Sequence, residues 1–234
     1  VIDCEDPTEG PDSFHRGFYF HSGETHRSVL KGFTIINGYL PGSNIPKLDP
    51  DSGMGSDMRK APIGAGIFCE KSGPSIINCH IIKCKAEVGA GIGCIAGTPI
   101  ITDCVITGCD VGGYGGSRSG GFGGGIGLLH KSEAAIINCM ITKNSTYWNS
   151  LGGGIYCFGS SAKVISCHIL NNGAVNEGDG NVNGGGVYCG GRYARLNLEN
   201  CIISKNIAHV GAGLYCEQGE NWNGDAQSEV PHCI

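Results

Sequence analysis

The residues with the most reactive side chains are 14 cysteines, which recur at fixed places in a repeated sequence. In a chain of 234 residues this number favours disulfide bonds and an extracellular location, and the alternative is that cysteine serves as a small buried apolar residue. No Cys-x-x-Cys pair occurs, so the spacing does not favour a zinc site. The cysteines that recur in the repeats are predicted to form three columns along the chain. The columns are Cys69, Cys94, Cys157, Cys189 and Cys216; Cys79, Cys104, Cys139, Cys167 and Cys201; and Cys84 with Cys109.

Carboxylates that could act on sugars are sparse on the predicted strands. Glycoside hydrolysis needs two carboxylates at a fixed separation. The outward positions of the repeated strands supply Asp103 and Glu199, which lie in non-adjacent repeats, and His80 and His168 are separated in the same way. We therefore predict that the protein is not an enzyme, and we rank a polysaccharide lyase or glycosidase as the least favoured function.

Two further motifs could bind a cation or carry a sugar. The loop containing Glu177, Asp179 and Asn181 is rich in oxygen ligands and glycine, as calcium sites are, but it lacks a recognised calcium motif. No cofactor is predicted, and calcium is the one candidate. Asn144 begins an Asn-Ser-Thr triplet and is the candidate site of N-glycosylation.

Aromatic residues recur on the outer side of the first predicted strand of several repeats. Exposed rings in such a row can stack against sugar rings, or against one another for the stability of the sheet. These candidates for sugar stacking are Phe68, Tyr156, Tyr188 and Tyr215.

The elements that position these residues follow from a Gly-x-Gly-aliphatic phrase that starts at Gly64, Gly89, Gly123, Gly152, Gly184 and Gly211. Each phrase is followed by an aliphatic phrase around a second cysteine. Repeats of this length indicate a solenoid. Alternating inward and outward residues predict short strands, with a bend near Asn138. The predicted fold is an all-β, right-handed parallel β-helix of about seven coils.

Specific repeat motifs give a family resemblance. The chain contains GAGI, GGGI, GGGV and GAGL, and it contains Ile141-Thr-Lys-Asn144, Ile169-Leu-Asn-Asn172 and Ile203-Ser-Lys-Asn206. It resembles the right-handed β-helix repeat proteins of bacterial cell surfaces, especially the repeats of the chlamydial polymorphic outer-membrane proteins. The resemblance implies a β-helix at a cell surface. At the end of each motif we expect asparagine to adopt the left-handed backbone conformation of a tight corner.

The repeat extends over the whole chain, so we predict a single β-solenoid domain over residues 1–234. Residues 1–63 are degenerate first coils with a long insertion at 38–63, and residues 64–234 form the regular coils. The later insertions lie at 110–122, 145–151 and 173–183. All of them fall between the corner asparagine and the next glycine phrase, so the loops should project mainly from one edge.

Composition excludes some partners. The net charge is −5 and basic residues are not clustered, so nucleic acid is not expected. No stretch approaches the roughly 20 apolar residues of a membrane-spanning helix, so no membrane span is predicted. Several disulfides between neighbouring coils are expected beside stacked free thiols, because adjacent strands lie about 4.8 Å apart.

The two ends suggest a mode of assembly. Val1-Ile-Asp-Cys4 matches Ile76–Cys79, and Val230-Pro-His-Cys233-Ile234 matches the phrase around Cys201, so both ends fall in one phase of the repeat. Contacts between subunits are predicted at Val1, Ile2, Cys4, Val230, Cys233 and Ile234. We predict an extracellular structural protein that stacks head to tail into a filament or surface appendage, glycosylated and disulfide-stabilised. The alternative is a carbohydrate-binding or adhesin β-helix from a larger surface protein.

Overall fold

The structure is a computed structural model that describes residues 1–4, 15–40, 62–111, 121–147, 150–175, 182–217 and 232–233. These residues form short β-strands joined by turns, and no helix lies among them. The strands are arranged in four sheets, all with parallel pairing between neighbours. The predicted all-β parallel β-helix is confirmed. The division of the chain into domains stays a prediction.

Strands are numbered in chain order and belong to sheets I to IV. Sheet I contains β2 (Phe18–Phe20), β5 (Ile67–Glu70), β9 (Ile92–Ile95), β13 (Ile126–Leu129), β17 (Ile155–Phe158), β21 (Val187–Gly190) and β24 (Leu214–Cys216). Sheet II contains β3 (Val29–Lys31), β6 (Ser75–Ile77), β10 (Ile100–Thr102), β14 (Glu133–Ile137), β18 (Ser161–Ile165), β22 (Arg195–Glu199) and β25 (His232–Cys233). Sheet III contains β1 (Ile2–Asp3), β4 (Thr34–Ile36), β7 (His80–Ile82), β11 (Val105–Thr107), β15 (Met140–Thr142), β19 (His168–Leu170) and β23 (Ile202–Ser204). Sheet IV contains β8 (Lys85–Ala86), β12 (Asp110–Val111), β16 (Ser145–Tyr147) and β20 (Gly173–Val175).

The chain passes from sheet I through II and III to IV and then begins the next coil. Equivalent residues of neighbouring coils pair in register, as Ile101 does with Ile136. Every inward position therefore stacks on the same position of the next coil. Ile76, Ile101, Ile136 and Val164 form one such column, and each is fully buried. Full burial of an aliphatic side chain contributes about 1.5–3 kcal/mol, so each coil gains most of its stability from its neighbours.

The corners between sheets are made by residues in the left-handed region. Asn138 turns the chain from sheet II to sheet III with φ 53°, which confirms the predicted bend. At the corner from sheet III to sheet IV, however, the left-handed residues are Lys143, Asn171 and Lys205. The expectation that Asn144, Asn172 and Asn206 adopt this conformation is wrong by one residue. The turn is made just before each asparagine, so the asparagine side chain points inward.

The predicted insertions fall at equivalent places in the solenoid. Residues 41–61, 112–120, 148–149 and 176–181 lie outside the described residues. The described residues just before each gap belong to sheet IV or continue it, and those just after each gap lead into sheet I. The four sites thus lie along one edge of the solenoid.

The terminal strands have a different register from the predicted one. Ile2 pairs with Ile35, which pairs with Ile81, so Cys4 is aligned with the corner residue Asn37 and not with the column of Cys79. At the other end Cys233 pairs with Leu196, five residues before Cys201. The predicted alignments are therefore wrong, and β1 and β25 lie in different sheets. At the N-terminal end, this register turns the apolar Ile2 inward over Ile35. Val230 and Ile234 lie outside the described residues.

Candidate functional site

The column around Cys139 is a stack of buried thiols. The backbone N–H groups of Cys79, Cys104 and Cys139 each donate to the sulfur one coil further on, at 3.4 Å. The Cys104 thiol donates in turn to the Thr102 carbonyl oxygen, at 3.2 Å. Each thiol therefore forms hydrogen bonds with backbone groups of two coils, and its role is structural.

The thiols are reduced almost throughout the described residues. Cys216 is disulfide-bonded, and the twelve other described cysteine side chains, Cys84 and Cys109 among them, are free. The several disulfides expected between coils are not formed among these residues, because in-register parallel strands point both side chains in the same direction. Burial raises the pKa of Cys4 to about 11 and also raises the pKa of Cys201. Within the column, Cys79, Cys104, Cys139 and Cys167 are at most 2 % exposed, so a dissolved reagent reaches these thiols only when the coils open locally.

The third column changes from cysteine to asparagine. It contains Cys84, Cys109, Asn144, Asn172 and Asn206. The Asn144 side-chain amide donates to Asn172 Oδ1 at 3.1 Å, and the Asn172 amide donates to Asn206 Oδ1 at 3.1 Å. Asn144 is 1 % exposed and its Nδ2 also bonds the Ile106 carbonyl. The predicted glycosylation of Asn144 is contradicted, because the atom that would carry the glycan is buried and engaged.

The aromatic row on the outside of sheet I is covered rather than exposed. Phe68, Tyr156 and Tyr188 are between 0 % and 5 % exposed, and Tyr215 is half-buried. Tyr188 stacks between Tyr156 and Tyr215, with ring centroids 5.1 and 5.6 Å apart. The predicted sugar-stacking surface is therefore contradicted. These rings belong to a second hydrophobic cluster, here called the outer cluster, which also includes Ile63, Val88, Ile95, Leu129, Phe122 and Leu151.

The outer cluster depends on the turn before each strand of sheet I. The first glycine of each repeated phrase has a positive φ, 69° at Gly152, which folds the preceding residue over the sheet. The turn of one coil packs on the strand of the next, so Phe122 stacks on Tyr156 with centroids 4.9 Å apart. Where the row of rings is interrupted by Gly93, the Ile63 side chain occupies the space, only 2.5 Å from where a Cβ would stand.

The carboxylates and histidines considered for catalysis are not brought together. Asp103 accepts a hydrogen bond from Asn138 at 2.6 Å, and Glu199 pairs with Lys163 at 3.5 Å. His80 and His168 are exposed on sheet III with β11 and β15 between them, about 14 Å apart at the spacing of parallel strands. The calcium candidates Glu177, Asp179 and Asn181 lie outside the described residues.

A shallow groove that the sequence did not indicate lies on the outer face of sheet II. It spans β14, β18 and β22, has a volume of about 430 Å³, and is here called the sheet II groove. Its outward-facing residues are Glu133, Ala135, Ser161, Lys163, Arg195 and Asn197. The sequence signal is a small residue, Ala135, at a position where the preceding coil has Ile100.

Comparison with known proteins identifies the family to which the chain belongs. The family described as the right-handed β-helix region matches residues 65–229, and the chain belongs to it. Neither the search of curated proteins nor the search of solved structures found a significant match. In the described part of the chain, no helix has the length and apolar character needed to cross a membrane.

Proposed function

We propose that the protein is a non-enzymatic extracellular structural protein, and that its β-helix continues past β23 and β24 onto a second copy, so that copies stack head to tail into a filament or surface appendage. The observation that carries the proposal is that β23 and β24 are the last strands of sheets III and I, with no further described strand paired to their outer edges. Further coils could belong to the same polypeptide, and the experiment below separates that arrangement from stacking of copies.

β23 and β24, here called the edge strands, differ from the equivalent strands inside the solenoid. Ile203 and Leu214 point inward but are only half-buried, whereas the equivalent Ile169 one coil earlier is fully buried. Beside them Ile207 is 64 % exposed and Val210 is 54 % exposed. Parallel strands that have no further partner among the described residues, and that expose apolar side chains, offer a surface on which another coil can pair through its backbone.

Other observations support a structural role outside the cell. Asp103 accepts a hydrogen bond from Asn138, and Glu199 forms an ion pair with Lys163. The two carboxylates lie in coils that are not adjacent to each other. The disulfide at Cys216 favours an oxidising environment. Glycosylation remains part of the proposal, but with Asn144 buried it would have to use other residues.

The experiment compares two charge substitutions in the same edge strand. Ile203→Lys places an amine on the inward side of β23, and Ile202→Lys places the same amine on its outward side, which is already 52 % exposed. Sedimentation velocity should show concentration-dependent association of the wild-type chain and of Ile202→Lys. Ile203→Lys should remain a monomer, because the charge would be buried by the next coil.

Two results would argue against stacking. A wild-type chain that stays monomeric at all accessible concentrations contradicts it, and so does association that Ile203→Lys leaves unchanged. Circular dichroism of both variants provides the control for folding.

A further inference from the structure

The two ends of the solenoid are incomplete in opposite ways. In the described part of the chain, the first coil is present only as β1 in sheet III and as His15, which pairs with Tyr39, in sheet IV. The last coil is present only as β24 in sheet I and β25 in sheet II. Each end therefore carries the half of a coil that the other end lacks.

The four sheets have the same length along the solenoid axis. Sheets I, II and III each contain seven strands. Sheet IV contains four strands, and the bridge residues His15, Tyr39 and Ile207 extend it to seven described positions. One displacement by seven strand spacings, about 34 Å, therefore places a second copy directly after the first in all four sheets. No position is left empty or filled twice.

The inward side chains at the two ends match when their columns are continued. One column of sheet III begins at Ile2 and ends at Ile203, so the displacement places Ile2 of the next copy on Ile203. The equivalent column of sheet I places Phe18 of the next copy on Leu214. All four side chains are only half-buried within one copy. The contact removes their apolar surfaces from water, which favours this register over a shift by one residue.

The outer face of sheet I continues across the same contact. The aromatic row of this face begins at Tyr19 and ends at Tyr215. Within one copy the rings at both ends of the row are stacked, with centroids 5.1 Å apart for Tyr19 and Phe68 and 5.6 Å apart for Tyr188 and Tyr215. The displacement places Tyr19 of the next copy one strand beyond Tyr215, at the spacing of another stacked pair.

We infer that a second copy completes the last coil, which then takes sheets I and II from one copy and sheets III and IV from the next. β1 of the next copy pairs in parallel with β23, so that Ile2 lies beside Ile203 and Asp3 lies beside Ser204. This inference rests on the head-to-tail stacking proposed above, and it specifies the register and the axial repeat of that stacking.

The test joins two exposed positions that become neighbours only in this register. Asp3→Cys combined with Ser204→Cys places thiols at opposite ends of sheet III, six strand spacings or about 29 Å apart, which a short bis-maleimide cannot span within one copy. Between stacked copies the same positions are about 5 Å apart. Ser22→Cys combined with Ser204→Cys is the matched control, because Ser22 is exposed at the same end of the solenoid but follows β2 of sheet I.

After cross-linking of the full chain, denaturing electrophoresis should show a ladder of covalent oligomers for the variant with Asp3→Cys and Ser204→Cys. Its yield should exceed that of the control by at least about 10-fold, because the paired thiols are held close together. Electron microscopy of the unmodified chain should show an axial repeat of about 34 Å, a measurement that requires no variant. Circular dichroism verifies that both variants are folded.

The outcomes separate this inference from the stacking on which it rests. Association in sedimentation velocity with equal cross-linking of the two variants, or with a different axial repeat, would overturn the composite coil and leave head-to-tail stacking in place. A chain that does not associate would overturn both.

Discussion

Inside the solenoid, equivalent residues of neighbouring coils stack on each other, whereas on the outside of sheet I residues from different positions of the repeat pack together. The interior column of Cys104, Cys139 and Cys167 repeats the same contact from coil to coil. In the outer cluster a turn residue of one coil packs on the strand of the next, as Phe122 does on Tyr156. Both regions are buried, but they are ordered by different means.

The interior is ordered by register, because parallel in-register pairing alone brings equivalent side chains together. The outer cluster is ordered by backbone conformation, because only a glycine with positive φ turns the covering residue over the sheet. Substitutions of the turn glycines should therefore lower the free energy of unfolding most. Substitutions of hydrogen-bonded interior residues should lower it by about the contribution of the hydrogen bonds that are lost.

The largest loss of stability is expected from Gly152→Ala, which should disrupt the outer cluster. Gly152 has φ 69°, and a Cβ there would stand 2.4 Å from the Ile155 carbonyl oxygen. We expect the free energy of unfolding to fall by more than about 3 kcal/mol. The measurement is chemical denaturation followed by circular dichroism.

Gly32→Ala is the control for Gly152→Ala. Gly32 has φ 75°, but no atom lies within 4 Å of the place where a Cβ would stand, so its substitution isolates the backbone strain. It should cost about 1–2 kcal/mol. Equal losses in the two variants would show that the fit of the turn over sheet I does not matter.

A smaller effect is expected from Asn172→Leu, which breaks an interior column. Asn172 Oδ1 accepts both the backbone N–H and the side-chain amide of Asn144, each at 3.1 Å. Leucine has nearly the same shape but leaves these buried donors without an acceptor. We expect a loss of about 2–3 kcal/mol in the free energy of unfolding.

Asn171→Gly is the matched control, since Asn171 is exposed and already left-handed at φ 55°. It should change stability by less than about 0.5 kcal/mol. A loss in Asn171→Gly as large as that in Asn172→Leu would argue against the inward asparagine column.

The smallest perturbation is chemical labelling of the thiols, which compares the interior with the edge strands without any mutation. In dilute native protein, maleimide should modify half-buried Cys201 at least about tenfold faster than fully buried Cys167, because the latter requires local opening. Peptide mass spectrometry gives the rate for each site. Concentrating the protein should also protect Cys201, and equal rates at the two sites would contradict the ordered column.

The sequence predicted the interior far better than the exterior. Inward positions must be apolar and stack on themselves, so the cysteine and isoleucine columns appear directly as a repeat. The outer cluster was missed because its partners lie one coil apart, and Ile63 covering Gly93 is visible only once the turn geometry is known. The corner asparagines were misplaced by one residue because either position can turn the chain. The terminal registers were misassigned because Val1-Ile-Asp-Cys4 is apolar enough to fit more than one strand.

The most direct test of the proposed function is cryo-electron microscopy of the purified chain at high protein concentration. Stacking through the edge of β23 and β24 predicts rods in which strands about 4.8 Å apart continue without a break from one copy to the next. Ile203→Lys should abolish these rods. Discrete particles the size of one copy, under every condition in which the chain is folded, would contradict the account.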